Sequence, residues 1–191
     1  MDVAIGHGWD VLEGPFLANQ VDDTIIQELN FEPAMDVYRR VIEAHDGRRF
    51  ADHDFFDIAK AYPFGLQKLD NDLLVRDPVT CVGKDLVCVG NIPEGSMLYI
   101  LNGHTPNLIN AAVNAVDINQ FNGAQKHALM FNCIGRKLFM DEKSNSEVEQ
   151  IKEHVGLHCS VLGVFALGEI ASLSNGTISF HNKTAVTAYT D

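Results

Sequence analysis

Short apolar segments bounded by turn-forming residues run along most of this chain, and they limit the folds that it can adopt. Segments of this length with Gly, Pro, Asn or Asp at their ends are typical of β-strands. The predicted strands are residues 3–9, 16–20, 24–29, 65–68, 73–76, 86–90, 97–101, 126–134, 160–170, 177–181 and 184–189. The turn Ser174-Asn175-Gly176 joins two of them and predicts an antiparallel hairpin.

Four other segments have the features of helices, because their apolar residues recur at helical spacing or stand between helix start and stop signals. They lie between Pro33 and Gly47, at residues 50–61, from Thr105 to Val116, and at residues 144–155. Strands outnumber helices and the two do not alternate regularly, which favours the α+β class. The simplest layout is one mixed or mostly antiparallel sheet with helices packed mainly on one face.

The chain is acidic, with 26 Asp and Glu residues against 14 Lys and Arg residues and a net charge of −12. This charge repels nucleic acid and anionic lipid surfaces, so that neither is an expected partner. No apolar run approaches the roughly 20 residues of a membrane-spanning helix, and the first residues lack the pattern of a secretory signal. The four cysteines form no C-x-x-C pair, which is typical of buried thiols in a reducing compartment. We therefore expect a cytoplasmic protein.

Cys133 and Arg136 stand at the end of a predicted buried strand. An adjacent guanidinium lowers the pKa of a thiol, as a reactive thiolate needs. On an extended chain, side chains three positions apart point to opposite sides. Cys133 and Arg136 therefore meet only if Gly135 turns the backbone. A small core thiol and a structural ion pair are the more common alternative.

Glu169 follows Gly168 in an otherwise apolar segment, where a carboxylate needs a partner. That partner is either an amine or guanidinium of a ligand, or a structural residue such as Arg136 or Arg76. Arg76 itself precedes Asp77-Pro78 and is a polar anchor to which the sequence alone assigns no use.

His181 and Asn182 lie at the turn between the last two predicted strands. A histidine at such a position can bind a metal or haem iron, but it is more often a hydrogen-bonded turn residue. The histidines and cysteines show no zinc-site spacing, and the sequence lacks the nucleophile elbow, the Walker loop and the dinucleotide-binding motif. The sequence therefore does not predict an enzyme.

Five motifs in order carry a resemblance to a known family. They are LLVRDPVT (73–80), LVCVGNIPEGSMLYIL (86–101), FNCIGRKLFM (131–140), GVFALGEI (163–170) and ISFHNKTAV (178–186). In this order and spacing they resemble the C-terminal domain of the FIST family, the F-box and intracellular signal-transduction proteins, and EPAMDVYRRVI (32–42) resembles its opening helix. The resemblance implies that residues 32–191 form the FIST C-terminal domain. It also implies that residues 1–31 are terminal strands of, or a linker from, a preceding FIST N-terminal domain.

The resemblance also implies a function. By this resemblance the chain is a sensory input module of a bacterial signalling protein, and such modules are proposed to bind small ligands such as amino acids. The resemblance also implies that the module is coupled to a histidine kinase, a chemoreceptor or a cyclic-di-nucleotide signalling protein. The residues expected to bind the ligand are Arg76, Cys133, Arg136, Glu169, His181 and Asn182. Arg136 would pair with an anionic group of the ligand and Glu169 with a cationic one. We expect no cofactor and no metal site.

Two alternatives remain at this stage. Some FIST proteins bind haem and sense nitric oxide, and in that case the resemblance implies His181 as the axial ligand. The other alternative is a non-catalytic dimerisation or interaction domain, in which the chain forms a homodimer.

Overall fold

The computed structural model describes residues 2–68, 72–116, 127–155, 159–172 and 177–190. The helices are α1 (Ala34–Asp46), α2 (Phe55–Ala59), α3 (Thr105–Asn114), α4 (Ile134–Met140) and α5 (Ser144–Val155). The first nine strands are β1 (Asp2–Gly6), β2 (Trp9–Leu17), β3 (Gln20–Asp22), β4 (Ile25–Leu29), β5 (Glu32–Pro33), β6 (Phe64–Gln67), β7 (Leu73–Val82), β8 (Asp85–Val89) and β9 (Met97–Gly103). The remaining strands are β10 (His127–Cys133), β11 (Ser160–Ala166), β12 (Glu169–Ser172), β13 (Ile178–His181) and β14 (Ala185–Thr190).

The chain divides into two compact units. The first unit contains residues 1–9 and 103–191, and the second unit contains residues 10–102. The predicted family boundary between residues 31 and 32 lies inside the second unit and stays a prediction.

The second unit is built on an antiparallel sheet. Its strands lie in the order β2-β9-β6-β7-β8-β4-β3 among the described residues, and the short β5 pairs with the end of β4 at Glu28 and Leu29. Helix α1 packs on β4 and β8, and α2 packs on β7. The apolar stripe of α1 is buried, and the helix ends where Gly47 adopts a left-handed conformation with φ of 80°. Tyr38 on this stripe is fully buried and donates its hydroxyl to the carbonyl of Tyr62, at 2.6 Å.

The first unit contains a four-stranded sheet in the order β1-β14-β10-β11, within the ranges that the structure describes. The pair β10–β11 is parallel and the other pairs are antiparallel. Residues of α3 and α5 form a core with one face of this sheet, where Met130, Ile151 and Tyr189 are buried together. Strand β1 lies close to α3, and Gly6 permits this approach because a β-carbon there would collide with the carbonyl of Ala111.

A separate antiparallel hairpin, β12–β13, follows β11 and contacts β1 and β10. The sequence predicted one strand over residues 160–170, but the chain turns at residues 167 and 168 and divides that segment into β11 and β12. The antiparallel pairing of β12 with β13 confirms the predicted hairpin, although its turn at residues 174–176 lies outside the described residues.

The α+β class and the mostly antiparallel pairing are confirmed. The helices predicted after Pro33, from Thr105 and at residues 144–155 are confirmed as α1, α3 and α5. The second helix is shorter than predicted, since α2 occupies only Phe55–Ala59 of residues 50–61. The strands form three sheets in the described part of the chain, where the pattern favoured one. In that part of the chain, no helix is both long and apolar enough to cross a membrane.

Candidate functional site

The hairpin β12–β13 buries its polar face and exposes its apolar face. Glu169 and His181 are direct partners in the antiparallel register, so their side chains lie on the same face of the hairpin. Both are buried, with Glu169 only 3% exposed. The adjacent positions on the other face, Ile170 and Ile178, are exposed. This is the reverse of the usual arrangement, in which a hairpin turns its apolar side to the core.

Gly168 allows the residues around this buried face to approach each other closely. A β-carbon at Gly168 would lie 2.5 Å from the ring of Phe180 and 3.3 Å from Nδ2 of Asn182. The first distance is impossible for real atoms, so that any side chain here displaces the ring. The glycine therefore brings the Asn182 amide next to the backbone that leads into Glu169.

Glu169 and Asn182 carry buried polar atoms that form no hydrogen bond within the described part of the chain. Both carboxyl oxygens of Glu169 and both polar side-chain atoms of Asn182 lack a partner among the residues described. Burial raises the pKa of Glu169 to about 8, and the positive charge of Arg136 opposes this shift. The carboxyl group is therefore mostly protonated at neutral pH and can both donate and accept a hydrogen bond.

Arg136 has structural partners within the first unit. The chain passes from β10 directly into α4 after Cys133, so that Arg136 lies on a helix instead of an extended strand. Its Nη2 forms an ion pair with Oε1 of Glu147. Its guanidinium also donates to Oδ1 of Asn132 at 3.0 Å and to the carbonyls of His7 and Leu108 at 2.7 and 2.8 Å.

Asn132 completes this network, because its Nδ2 donates to Oε2 of Glu147 at 2.6 Å. The fully buried Arg136 thus links β10, α3, α5 and the segment after β1. The sequence predicted the helix at residues 144–155 but did not reveal the role of Glu147 within it. The patterns of the two elements gave no sign that α5 would bring this carboxylate to Arg136.

Lys183 is a second buried cation that the sequence did not single out. It is fully buried, its Nζ donates to the carbonyl of Gly135 at 3.4 Å, and the same atom lies 5.4 Å from the centre of the Trp9 ring. Trp9 in turn donates its indole N–H to the carbonyl of Lys183 at 2.9 Å. A lysine in the polar run HNKT is typical of an exposed turn, which is why sequence reasoning missed it.

Cys133 is buried at the end of β10, and its backbone N–H donates to the carbonyl of Thr184 at 3.1 Å. This bond joins the end of β10 to the segment that follows His181 and Asn182. The first unit therefore contains five of the six residues that the sequence proposed. Glu169, His181 and Asn182 lie at one place on the hairpin, and Arg136 is near enough to influence the pKa of Glu169.

Arg76 belongs to the second unit, where it lies on β7. Its Nε donates to the carbonyl of Asn91 at 2.9 Å and its Nη1 to the carbonyl of Val75 at 3.0 Å. These bonds hold the loop after β8 against β7. The structure thus gives Arg76 a structural role inside its own unit.

The haem alternative stays a prediction. His181, its predicted axial ligand, is buried and lies opposite Glu169 in the antiparallel register of the hairpin. The described ranges also contain no group of three or more His, Cys, Asp or Glu side chains that could hold a metal ion.

Comparison with known protein families gives one result. The model of the FIST C domain matches residues 34–172, which is more than half of the chain. The chain belongs to the FIST C domain family. The FIST C domain is a sensory-type domain of signal transduction, which gives the chain its general role. No curated protein and no solved structure matches the chain.

The FIST C match begins with the first residue of α1 and ends with the last residue of β12. It includes Arg136, Gly168 and Glu169 but stops before His181 and Asn182. Strands β1 and β14, which the match does not reach, form half of the four-stranded sheet in the described first unit.

Proposed function

We propose that this FIST C domain protein is a sensory module that binds a small molecule, with Glu169 and Asn182 in direct contact with it. The supporting observation is that these two side chains, at the start of β12 and just after the end of β13, are buried without hydrogen-bond partners in the described structure. A buried polar group without a partner costs roughly 1–3 kcal/mol, and such groups are rare in folded proteins. A ligand that supplies the missing partners removes this cost, which gives the site affinity.

The chemistry of the two side chains suggests the class of ligand. Glu169 can accept from an ammonium or guanidinium group, whose positive charge favours the ionised form of the carboxyl group, and the Asn182 amide both donates and accepts. An amino acid offers its ammonium to Glu169 and its carboxylate to Nδ2 of Asn182, so that amino acids are the first class to test. Arg136 has no contact with the ligand in this proposal, because Glu147 already neutralises its charge. It is a positioning residue for the end of β10.

The proposed role is binding and not catalysis, and no cofactor takes part in it. The burial of Cys133 supports this, because a nucleophilic thiolate must be accessible to its substrate. We also propose that the module acts in the cytoplasm. Its output partner would be a histidine kinase, a chemoreceptor or a cyclic-di-nucleotide signalling protein.

Thermal unfolding in the presence of each amino acid tests the proposal. Trp9 is the single tryptophan of the chain and packs in the first unit, so that its fluorescence follows the unit that contains the site. At a hundredfold excess over its Kd, a true ligand stabilises this unit by about 2.7 kcal/mol. Glu169→Gln should abolish the shift, and Glu153→Gln on the exposed side of α5 should retain it. The absence of any shift across the amino acids, or an undiminished shift in Glu169→Gln, would contradict the proposal.

A further inference from the structure

A groove of about 260 Å³ lies in the first unit between helix α5 and strand β11. The register pairs Gly163 with Met130, and Phe165 lies two residues further along β11, so that all three positions face α5. Met130 and Ile151 are buried and line the inner part of the groove. Phe165 on β11 and Val148 on α5 line it as well, and they are 47% and 42% exposed. The groove therefore has an apolar interior and apolar walls that solvent reaches.

Gly163 keeps this groove open, although the fold does not require a glycine there. A β-carbon at Gly163 would lie 3.6 Å from the carbonyl oxygen and 3.7 Å from the β-carbon of Met130, which are ordinary contact distances, and the backbone at Gly163 is not left-handed. The pairing of β10 with β11 is regular from His127 to Cys133, so that Gly163 marks no bulge. Glycine weakens the interior of a strand, and one that marks no bulge or bend is typical of a place where a ligand approaches the backbone closely.

Lys152 carries a positive charge in the groove that no described residue neutralises. Of the described residues that line the groove, Glu147 and Lys152 are charged. The carboxylate of Glu147 pairs with Arg136 through Oε1 and accepts from Asn132 through Oε2, so that both of its oxygens are engaged. Lys152 is exposed on α5 and takes part in none of the ion pairs of the described chain. The groove therefore offers its unpaired charge to an anion.

The surroundings and the volume of the groove narrow the class of anion. Lys137 adds a second positive charge, since its Nζ lies 5.8 Å from the centre of the Phe165 ring. In a chain with a net charge of −12, two lysines beside one apolar groove favour an anion there over a cation. A cavity of about 150 Å³ holds benzene, whereas drug-sized ligands occupy roughly 300–1,000 Å³. The occupant is thus a single ring or a short alkyl chain with one acidic group.

We propose that this groove binds a small organic carboxylate whose apolar body is the size of one aromatic ring and whose carboxylate pairs with Lys152. The apolar body lies over Gly163, and the apolar area that it buries supplies most of the affinity. The site is a second one, because neither Glu169 nor Asn182 is among the described residues that line the groove. It does not select an ammonium group, since both oxygens of Glu147 are engaged. Amino acids and simple aryl carboxylates therefore distinguish the two sites.

Isothermal titration calorimetry of the full chain with phenylacetate and with phenylacetamide tests the charge in this proposal. Phenylacetate should bind, and phenylacetamide, which has nearly the same shape without the charge, should bind about threefold more weakly, as expected for the loss of an exposed ion pair. Lys152→Gln should remove most of this preference for the acid. The matched control is Lys143→Gln, at an exposed lysine of the same unit that does not line the groove, and it should retain the preference.

Gly163→Val tests the position of the apolar body. The valine side chain occupies the groove and should weaken the binding of both compounds at least about tenfold. Trp9 fluorescence melts should show that the variant is as stable as the parent chain, because the added β-carbon meets no close contact and valine suits a strand better than glycine.

A second variant keeps the test decisive if Gly163→Val does not fold. Val148→Glu places a negative charge at an exposed wall of the groove and should weaken phenylacetate more than phenylacetamide. The proposal is overturned if phenylacetate does not bind, if the acid and the amide bind the parent chain equally well, or if folded Gly163→Val binds both as well as the parent chain does.

Discussion

Replacing Glu147 by leucine removes the carboxylate that neutralises the buried guanidinium of Arg136. The side chains of both residues are almost completely inaccessible to solvent, at 2% and 0%. The variant leaves Arg136 with a formal charge and only neutral acceptors, namely Asn132 and the carbonyls of His7 and Leu108. The amide of Asn132 also loses the acceptor of its Nδ2.

The cost of this variant is large because water cannot replace the lost carboxylate. Breaking a buried ion pair by removing one partner destabilises a protein by about 3–5 kcal/mol. The total stability of a domain is roughly 5–15 kcal/mol, so that the loss is a substantial fraction of it. With a urea m-value near 2 kcal/mol per molar, the midpoint of unfolding of the first unit should fall by about 2 M.

Urea unfolding followed by Trp9 fluorescence measures this change, since Trp9 lies against Phe139 in the same unit. The matched control is Glu153→Leu, an exposed position on the same helix, which should change the stability by less than about 0.5 kcal/mol. The double variant Arg136→Met with Glu147→Leu should be more stable than Glu147→Leu alone, because it no longer buries an unpaired charge. A loss below 1 kcal/mol in Glu147→Leu, or a double variant less stable than the single one, would refute the reasoning.

Three further predictions concern the hairpin and the cysteines. Burial raises the pKa of Glu169 to about 8, so that the folded state retains a proton that the unfolded state loses near pH 4.5. The stability of the folded state therefore falls as the pH rises from about 4.5 to 8. Glu169→Gln should flatten this dependence and raise the melting temperature at pH 8; an unchanged pH profile would contradict it. Gly168→Ala should destabilise the first unit by about 1–3 kcal/mol in urea unfolding, because its methyl group overlaps the Phe180 ring, and a neutral result would show that the ring can move. Brief alkylation at neutral pH should modify Cys81 before Cys133, because Cys81 is half-buried and Cys133 is buried, and mass spectrometry detects which thiol has reacted. Rapid modification of Cys133 would instead support a catalytic role for its thiol.

The sequence predicted the helices whose signals are local. The helix α1 has an apolar stripe between Pro33 and Gly47, and α5 has its own start and stop residues, so that each needs no information from distant parts of the chain. The segment 160–170 shows the limit of this reasoning. An apolar run is compatible with one long strand or with two short ones, and the turn at residues 167 and 168 depends on where the hairpin packs.

The candidate site was predictable as a set of residues but not as an arrangement. The sequence singled out Glu169 because a carboxylate in an apolar segment needs a partner. It singled out His181 and Asn182 because they lie at the turn between the last two predicted strands. The sequence alone could not show whether Arg136 binds a ligand or a structural partner, because its partner Glu147 lies on another helix. The structural role of Arg76 was also not predictable from the sequence. Its guanidinium donates to backbone carbonyls, and no pattern of side chains reveals such bonds.

The amino-acid sequence by itself determined the α+β class, the approximate position of most strands, three of the helices and the membership of the FIST C family, because all of these depend on local periodicity and on motifs in order. The tertiary structure decided the pairing of Arg136 with Glu147, the burial of Lys183 and the inverted hairpin, in which Glu169 and Asn182 have no hydrogen-bond partner among the described side chains and backbone. Hydrogen bonding and burial depend on which distant segments meet, and that information lies in no single segment of the chain.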